Sequence, residues 1–178
     1  MKNAGASIER FFRWKGANRH FSNREYINKL GKEYSQYFSF SVVRNPWDRM
    51  VSLYFFGKQK NKSWCKKFKD FNKWIQYITQ QNAKWKRYWN QFDWLKDHND
   101  NINIDFIIRF ENIDKDWLKL CKKIKCKPQQ LPHINKTKKR KRKRKDYRFY
   151  YNDKSIELIG EKYKKDIEIF DYTFGENK

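Results

Sequence analysis

Three observations predict an α/β fold for this chain of 178 residues. Phe38, Phe40, Val42 and Val43 form an apolar, β-branched run that stops at Asn45-Pro46. A second buried run covers 104–110. Around these runs lie segments whose apolar residues recur every three or four positions, the signature of helices packed on one face.

In chain order, residues 7–14 read as a short helix, with Ile8, Phe11 and Phe12 on one side. Residues 16–23 form a loop that contains His20, and 23–37 continue as a helix with Tyr26, Ile27 and Leu30 inward and Gly31 near its end. The first strand follows. Asn45 is then a good N-cap, Pro46 suits the first helical position, and Asp48 lies near the positive end of the helix dipole. Met50, Val51, Tyr54 and Phe55 give that helix an apolar face to about residue 56, and 58–64 read as a polar loop. Phe68, Phe71, Trp74, Ile75 and Ile78 mark the next helix.

Residues 83–95 gather Trp85, Tyr88, Trp89, Phe92 and Trp94, which suits a core, with an aromatic platform for a sugar ring as the alternative. After a turn at 99–103 and the second strand, Asn112 or Asp114 caps a helix to residue 125, with Trp117, Leu120, Cys121 and Ile124 as its inner stripe. A loop with Pro128 and Pro132 leads to 136–145, where nine of ten residues are Lys or Arg. The last helix, 154–169, buries Ile156, Ile159, Tyr163 and Ile167. No repeat or domain boundary is visible, so 1–178 is expected to be a single domain with the basic tract inside it.

Composition narrows the function classes. Hydrophobic content of 38% and aromatic content of 19% argue against a disordered chain. No apolar stretch is long enough to span a bilayer, and no signal-peptide pattern opens the chain. A cytoplasmic protein is expected, or a Golgi or other membrane-associated one if an anchor precedes Met1. Cys65, Cys121 and Cys126 make neither a disulfide framework nor, with the histidines, zinc-ligand spacing. The net charge of +23 favours polyanionic partners, although a bias toward Lys, Asn, Ile, Tyr and Phe, as AT-rich coding produces, accounts for part of it. The pattern Gly-x-x-x-x-Gly-Lys-Ser/Thr is absent, which argues against a nucleoside triphosphatase.

The most informative segment is Arg44-Asn45-Pro46-Trp47-Asp48-Arg49, with Val51, Ser52 and Tyr54 beyond it. It puts Arg44 at the carboxyl end of a strand, the edge of an open α/β sheet where ligands bind, and a guanidinium there offers a planar fork of donors to a phosphate. Near the start, Gly5, Ala6 and Ser7 follow Lys2 and open a helix, an arrangement whose backbone N–H groups suit an anion.

The Arg44 string resembles the 3′-phosphate-binding segment of sulfotransferases, especially the carbohydrate-directed family 2. Three further stretches resemble the same family in the same order. Residues 2–8 look like its 5′-phosphosulfate loop, 105–112 like its Asp-Phe-x-x-Arg-Phe-Glu-Asn strand, and 131–137 with 146–151 like its carboxyl-terminal Asn-Lys-Ser and Tyr-Tyr segment. The resemblance implies a three-layer α/β/α fold with a mainly parallel central sheet, like that of nucleotide kinases. It implies 3′-phosphoadenosine 5′-phosphosulfate (PAPS) as donor, no metal, and a hydroxyl acceptor, most simply of a carbohydrate. Arg44 and Ser52 would hold the 3′-phosphate, Lys136 and Thr137 would assist, and Gly5, Ala6 and Ser7 would cradle the phosphosulfate. Lys2 would neutralise the leaving oxygen.

The acceptor must lose a proton, and the candidate bases are His20 first, His133 second, then Glu9 or Glu25; His98 reads as simply exposed. The tract 136–145 suits donor clamping, attraction of an acidic polymer, or a solvated loop. A rival reading is a non-catalytic protein that grips nucleic acid or sulfated glycan on a sulfotransferase-like fold. Family members carry a strand just before the loop lysine, and this chain starts one residue before it. An amino-terminally truncated domain with residues 1–7 poorly fixed, unpaired sheet edges and weak activity is therefore expected.

Overall fold

The computed structural model describes residues 4–12, 21–80, 86–127, 130–131 and 145–175. Along the chain the elements are α1 (Gly5–Phe11), α2 (Asn23–Leu30), β1 (Phe40–Val43), α3 (Pro46–Gln59), α4 (Ser63–Lys66), α5 (Phe71–Gln80), α6 (Gln91–Leu95), β2 (Phe106–Arg109), α7 (Ile113–Lys123), α8 (Asp153–Lys162) and α9 (Lys164–Phe170). The fold is thus mixed: mainly helical, with a small parallel sheet of two strands among the described residues. Contacts divide the chain into two compact units, one within residues 3–43 and 91–138, the other within 44–90 and 139–178.

The first unit is built on β1 and β2. They pair in parallel with Phe40 opposite Phe106 and Val43 opposite Arg109. The register is fixed at the entrance, where the Ser39 backbone N–H and hydroxyl both donate to Asp105 Oδ2 at 2.7 Å. These two bonds hold the Asp105 carboxyl below its ordinary range, the backbone donor contributing most. Ile8, Val42, Ile108, Trp117, Leu120, Cys121 and Leu131 close the core of this unit. Trp117, Leu120 and Cys121 are the expected inner stripe of α7, and the Phe11 ring meets Trp117 edge-on at 4.7 Å.

The second unit packs α3 with α5 and α8 around Trp47, Met50, Val51, Trp74, Ile75, Ile78 and Ile159. Gly57 lets α3 approach the next segment closely: a Cβ there would lie 2.5 Å from the Trp64 ring and 2.7 Å from Cys65. Burial pushes the Cys65 thiol up to about 11, and it donates to the Tyr54 carbonyl oxygen, so it is a core group rather than a nucleophile.

Several expected elements shift. The helix expected over 7–14 starts at Gly5, because Ala4 turns the chain in the left-handed region at φ 61°. The helix expected over 23–37 ends at Leu30: Gly31 takes φ 54°, which a glycine adopts freely, and 31–36 tighten into a 3-10 turn. Tyr26, expected inward, is exposed and meets Phe21 at the surface. In the 58–64 stretch α3 continues to Gln59, and α4 begins after a turn at Asn61. The last helix breaks at Tyr163 into α8 and α9. In the aromatic stretch, Tyr88, Phe92 and Trp94 are buried, as a core requires; Trp85 lies outside the described residues. No described helix is long and apolar enough to cross a membrane.

Candidate active site

Residues 44–52 form the candidate site, and each has a definable part. The strand ends at Val43 and the helix begins at Pro46, whose missing N–H removes nothing at the first helical position. Asn45 caps the helix. Its Oδ1 accepts from the backbone N–H of Trp47 at 3.0 Å and of Asp48 at 3.4 Å, and its Nδ2 donates to the Thr173 carbonyl at 3.0 Å. Trp47 is buried, donates from its indole to the Ile156 carbonyl, and its own carbonyl accepts from the Tyr151 hydroxyl. The Tyr-Tyr segment singled out in the sequence thus braces the motif helix.

Arg44 is only 5% exposed. Its Nε donates to Asp48 Oδ2 at 2.8 Å, and Nη2 lies 2.6 Å from the same oxygen. One carboxylate oxygen therefore takes two adjacent donors and fixes the plane of the guanidinium. Asp48 in turn is fixed by its place in the first turn of α3. Ser52, half-buried, lies four residues after Asp48 and so on the same helix face, one turn further along. Arg44 thus lies just before the α3 cap and Ser52 within α3, both in the second unit.

Arg49 has a different fate. It is 1% exposed, its Nη2 donates to the Trp89 carbonyl at 2.6 Å, and its Nη1 faces Asp166 Oδ2 at 3.5 Å. Its guanidinium carbon lies 5.0 Å from the Tyr163 ring centre. Asp166 is fully buried, and burial raises the Tyr163 phenol. Sequence reasoning gave Arg49 no part. The available signal was its helical phase: Arg49, Leu53 and Gly57 fall on one buried stripe at spacings of four.

Gly5 and Ala6 open α1 in the first unit and are exposed, whereas Ser7 is buried. The left-handed residue of this turn is Ala4, not the glycine, and its carbonyl accepts from the N–H groups of Ser7 and Ile8. Among the alternative bases, Glu25 is committed to the α2 capping box, accepting from the Ser22 N–H at 2.7 Å and its hydroxyl at 2.8 Å. His98 is exposed, with Nε2 2.8 Å from Asn28 Oδ1. Lys2, His20, His133, Lys136, Thr137 and residues 138–144 of the basic run lie outside the described residues. No group of three or more His, Cys, Asp or Glu suited to a metal occurs among the described residues.

The family model described as "Sulfotransferase family" matches residues 6–173. The chain belongs to the sulfotransferase family. That match takes in both compact units and the whole Arg44–Ser52 segment of the chain. It is also 31% identical over 100 residues to an uncharacterized protein of Archaeoglobus fulgidus, an alignment covering 54% of this chain and 76% of the relative. No solved structure matches the chain.

Proposed function

We infer that the protein transfers a sulfuryl group from PAPS to a carbohydrate hydroxyl, with Arg44 and Ser52 holding the donor's 3′-phosphate. The observation that carries the reading is the Arg44–Asp48 pair. A buried guanidinium, its plane set by one carboxylate oxygen, stands at the start of a helix whose same face carries a half-buried serine. A fixed fork meets an anion with little ordering cost, and phosphate accepts two parallel N–H bonds well. The exposed opening of α1 suits the 5′ end, since the N–H groups of Gly5 and Ala6 come before the first i to i−4 bond. In this reading Lys2 neutralises the leaving phosphate oxygen, and Lys136 and Thr137 add donors at the 3′ end. Residues 1–178 act as one domain, completing a three-layer α/β/α fold of the nucleotide-kinase type.

The chemistry needs positioning, charge neutralisation and one proton transfer. The acceptor oxygen forms a bond to sulfur as the bond from sulfur to the phosphate oxygen breaks, and His20 takes the acceptor proton. Incubation of the full chain with PAPS and an oligosaccharide acceptor should release adenosine 3′,5′-bisphosphate in step with sulfated sugar. His20→Ala should lower turnover by roughly 10²–10⁴-fold and leave donor affinity intact. A parent chain that binds sulfated glycan but neither binds the bisphosphate nor turns over would overturn the enzyme reading and leave the non-catalytic one.

A further inference from the structure

The carboxyl end of α7 closes in a way that brings two cysteines together. Lys125 turns the chain in the left-handed region at φ 53°. Its N–H donates to the Lys122 carbonyl at 3.2 Å, and the Cys126 N–H reaches back to the Cys121 carbonyl at 2.9 Å. In a helix end closed by this pair of bonds, the side chains that flank the longer bond meet on one side, usually as an apolar contact. Here both are cysteines, and both are thiols. Ordinary backbone dimensions across the Cys126–Cys121 bond keep the two Cα atoms within about 6.8 Å, which a disulfide can span. Cys121 is fully buried in the core of the first unit, and the half-buried Cys126 packs against that same core.

We propose that Cys121 and Cys126 form a reversible, hydroperoxide-driven disulfide that clasps the end of α7. Cys126 is the sulfur that solvent reaches. Its Sγ attacks one peroxide oxygen, the O–O bond breaks, and a sulfenic acid and one water are left. The Cys121 Sγ then attacks the Cys126 sulfur, the S–O bond breaks, and a second water leaves. Two thiols thus lose two electrons and two protons, and one peroxide becomes two waters. The ring closed is short, so it takes little entropy from the unfolded chain, and an external dithiol should reopen it. Cys65 serves as the internal reference: it is fully buried in the second unit, donates to the Tyr54 carbonyl, and burial pushes its thiol up to about 11. None of these residues is given to the donor or the acceptor, so the clasp stands or falls apart from sulfuryl transfer.

The test treats the full chain with one equivalent of hydrogen peroxide, then denatures it and counts thiols with N-ethylmaleimide. The parent should lose two thiols, keep Cys65, and regain both on adding dithiothreitol. Trypsin cuts after Lys122, Lys123 and Lys125, so the disulfide should appear as two peptides joined through Cys121 and Cys126. Cys121→Ala should stop at a sulfenic acid on Cys126 that dimedone labels. Cys126→Ser should keep its Cys121 thiol, reacting about tenfold or more slowly than the parent. In the oxidised parent the Cys126 amide, which closes the turn, should exchange its hydrogen about tenfold more slowly than in the reduced chain. Dimedone labelling of the parent as full as that of Cys121→Ala would overturn the proposal. So would three thiols left after peroxide, a link to Cys65 or to a second chain, or amide exchange unchanged by oxidation.

Discussion

Arg44 and Arg49 stand five residues apart in one motif, both nearly out of solvent and both against a carboxylate, yet one carboxylate is four residues away along the chain and the other far away. The pair of Arg44 with Asp48 closes within one helical turn. The pair of Arg49 with Asp166 joins positions 117 apart and is capped by a tyrosine ring and a backbone carbonyl. A local partner fixes a side chain's direction, whereas a distant partner ties segments together. Arg49 is in this account a tie between α3 and α9, and Arg44 an oriented donor for a ligand.

The largest expected effect tests the tie. Arg49→Met leaves Asp166 as a buried carboxylate without its cation, and urea unfolding should show a loss of about 3–5 kcal/mol. The double change Arg49→Met with Asp166→Leu should recover much of that loss. A single variant as stable as the parent would erase the contrast between the two arginines.

A smaller effect tests the turn that presents Arg44. Asn45→Ala removes the α3 cap and the bond to the Thr173 carbonyl, and should cost about 1–2 kcal/mol in the same assay. Asn45→Asp, which keeps the acceptor for the helix N–H groups, should lose less.

The smallest effect separates buried from exposed carboxylates. Asp105 is held below its ordinary range in the folded chain, chiefly by the Ser39 backbone N–H and then by its hydroxyl. Its folded value lies below its unfolded one, so its contribution is complete above about pH 4 and fades as pH falls through the folded value. Ser39→Ala should therefore be less stable than the parent at pH 7, and the gap should narrow in acid. Being solvent-exposed, this pair should matter far less than the Arg49 tie.

How much of this was legible in the sequence depends on the reach of the interaction. The strand and the start of the helix over 40–56 could be read from the sequence, because a β-branched run, an Asn cap and a Pro at the first helical position are all local signals, whereas the continuation of α3 to Gln59 could not. The α5 and α7 stripes were legible for the same reason. The helix ends at Leu30 and Lys162 were not. One depends on the φ of Gly31, and at the other the Tyr163 side chain packs in the core between α8 and α9 while the apolar spacing runs on through the break. At the site, the Asp48 partner of Arg44 lay within the spacing rule for helical pairs, although only its dipole role was read. The Asp166 partner of Arg49 was invisible, since no local pattern links positions 117 apart.

The central claim is that Arg44 is a ligand donor and not a structural tie, and adenosine 3′,5′-bisphosphate tests it most directly. Calorimetric titration of the parent and of Arg44→Ala, each with its melting curve, gives affinity and stability together. The bisphosphate at ~100 times its dissociation constant should stabilise the parent by about 2.7 kcal/mol. Arg44→Ala should stay folded and lose about 1.5–3 kcal/mol of binding free energy, the scale of a hydrogen bond to a charged group. A folded Arg44→Ala that binds the bisphosphate as tightly as the parent would contradict the account.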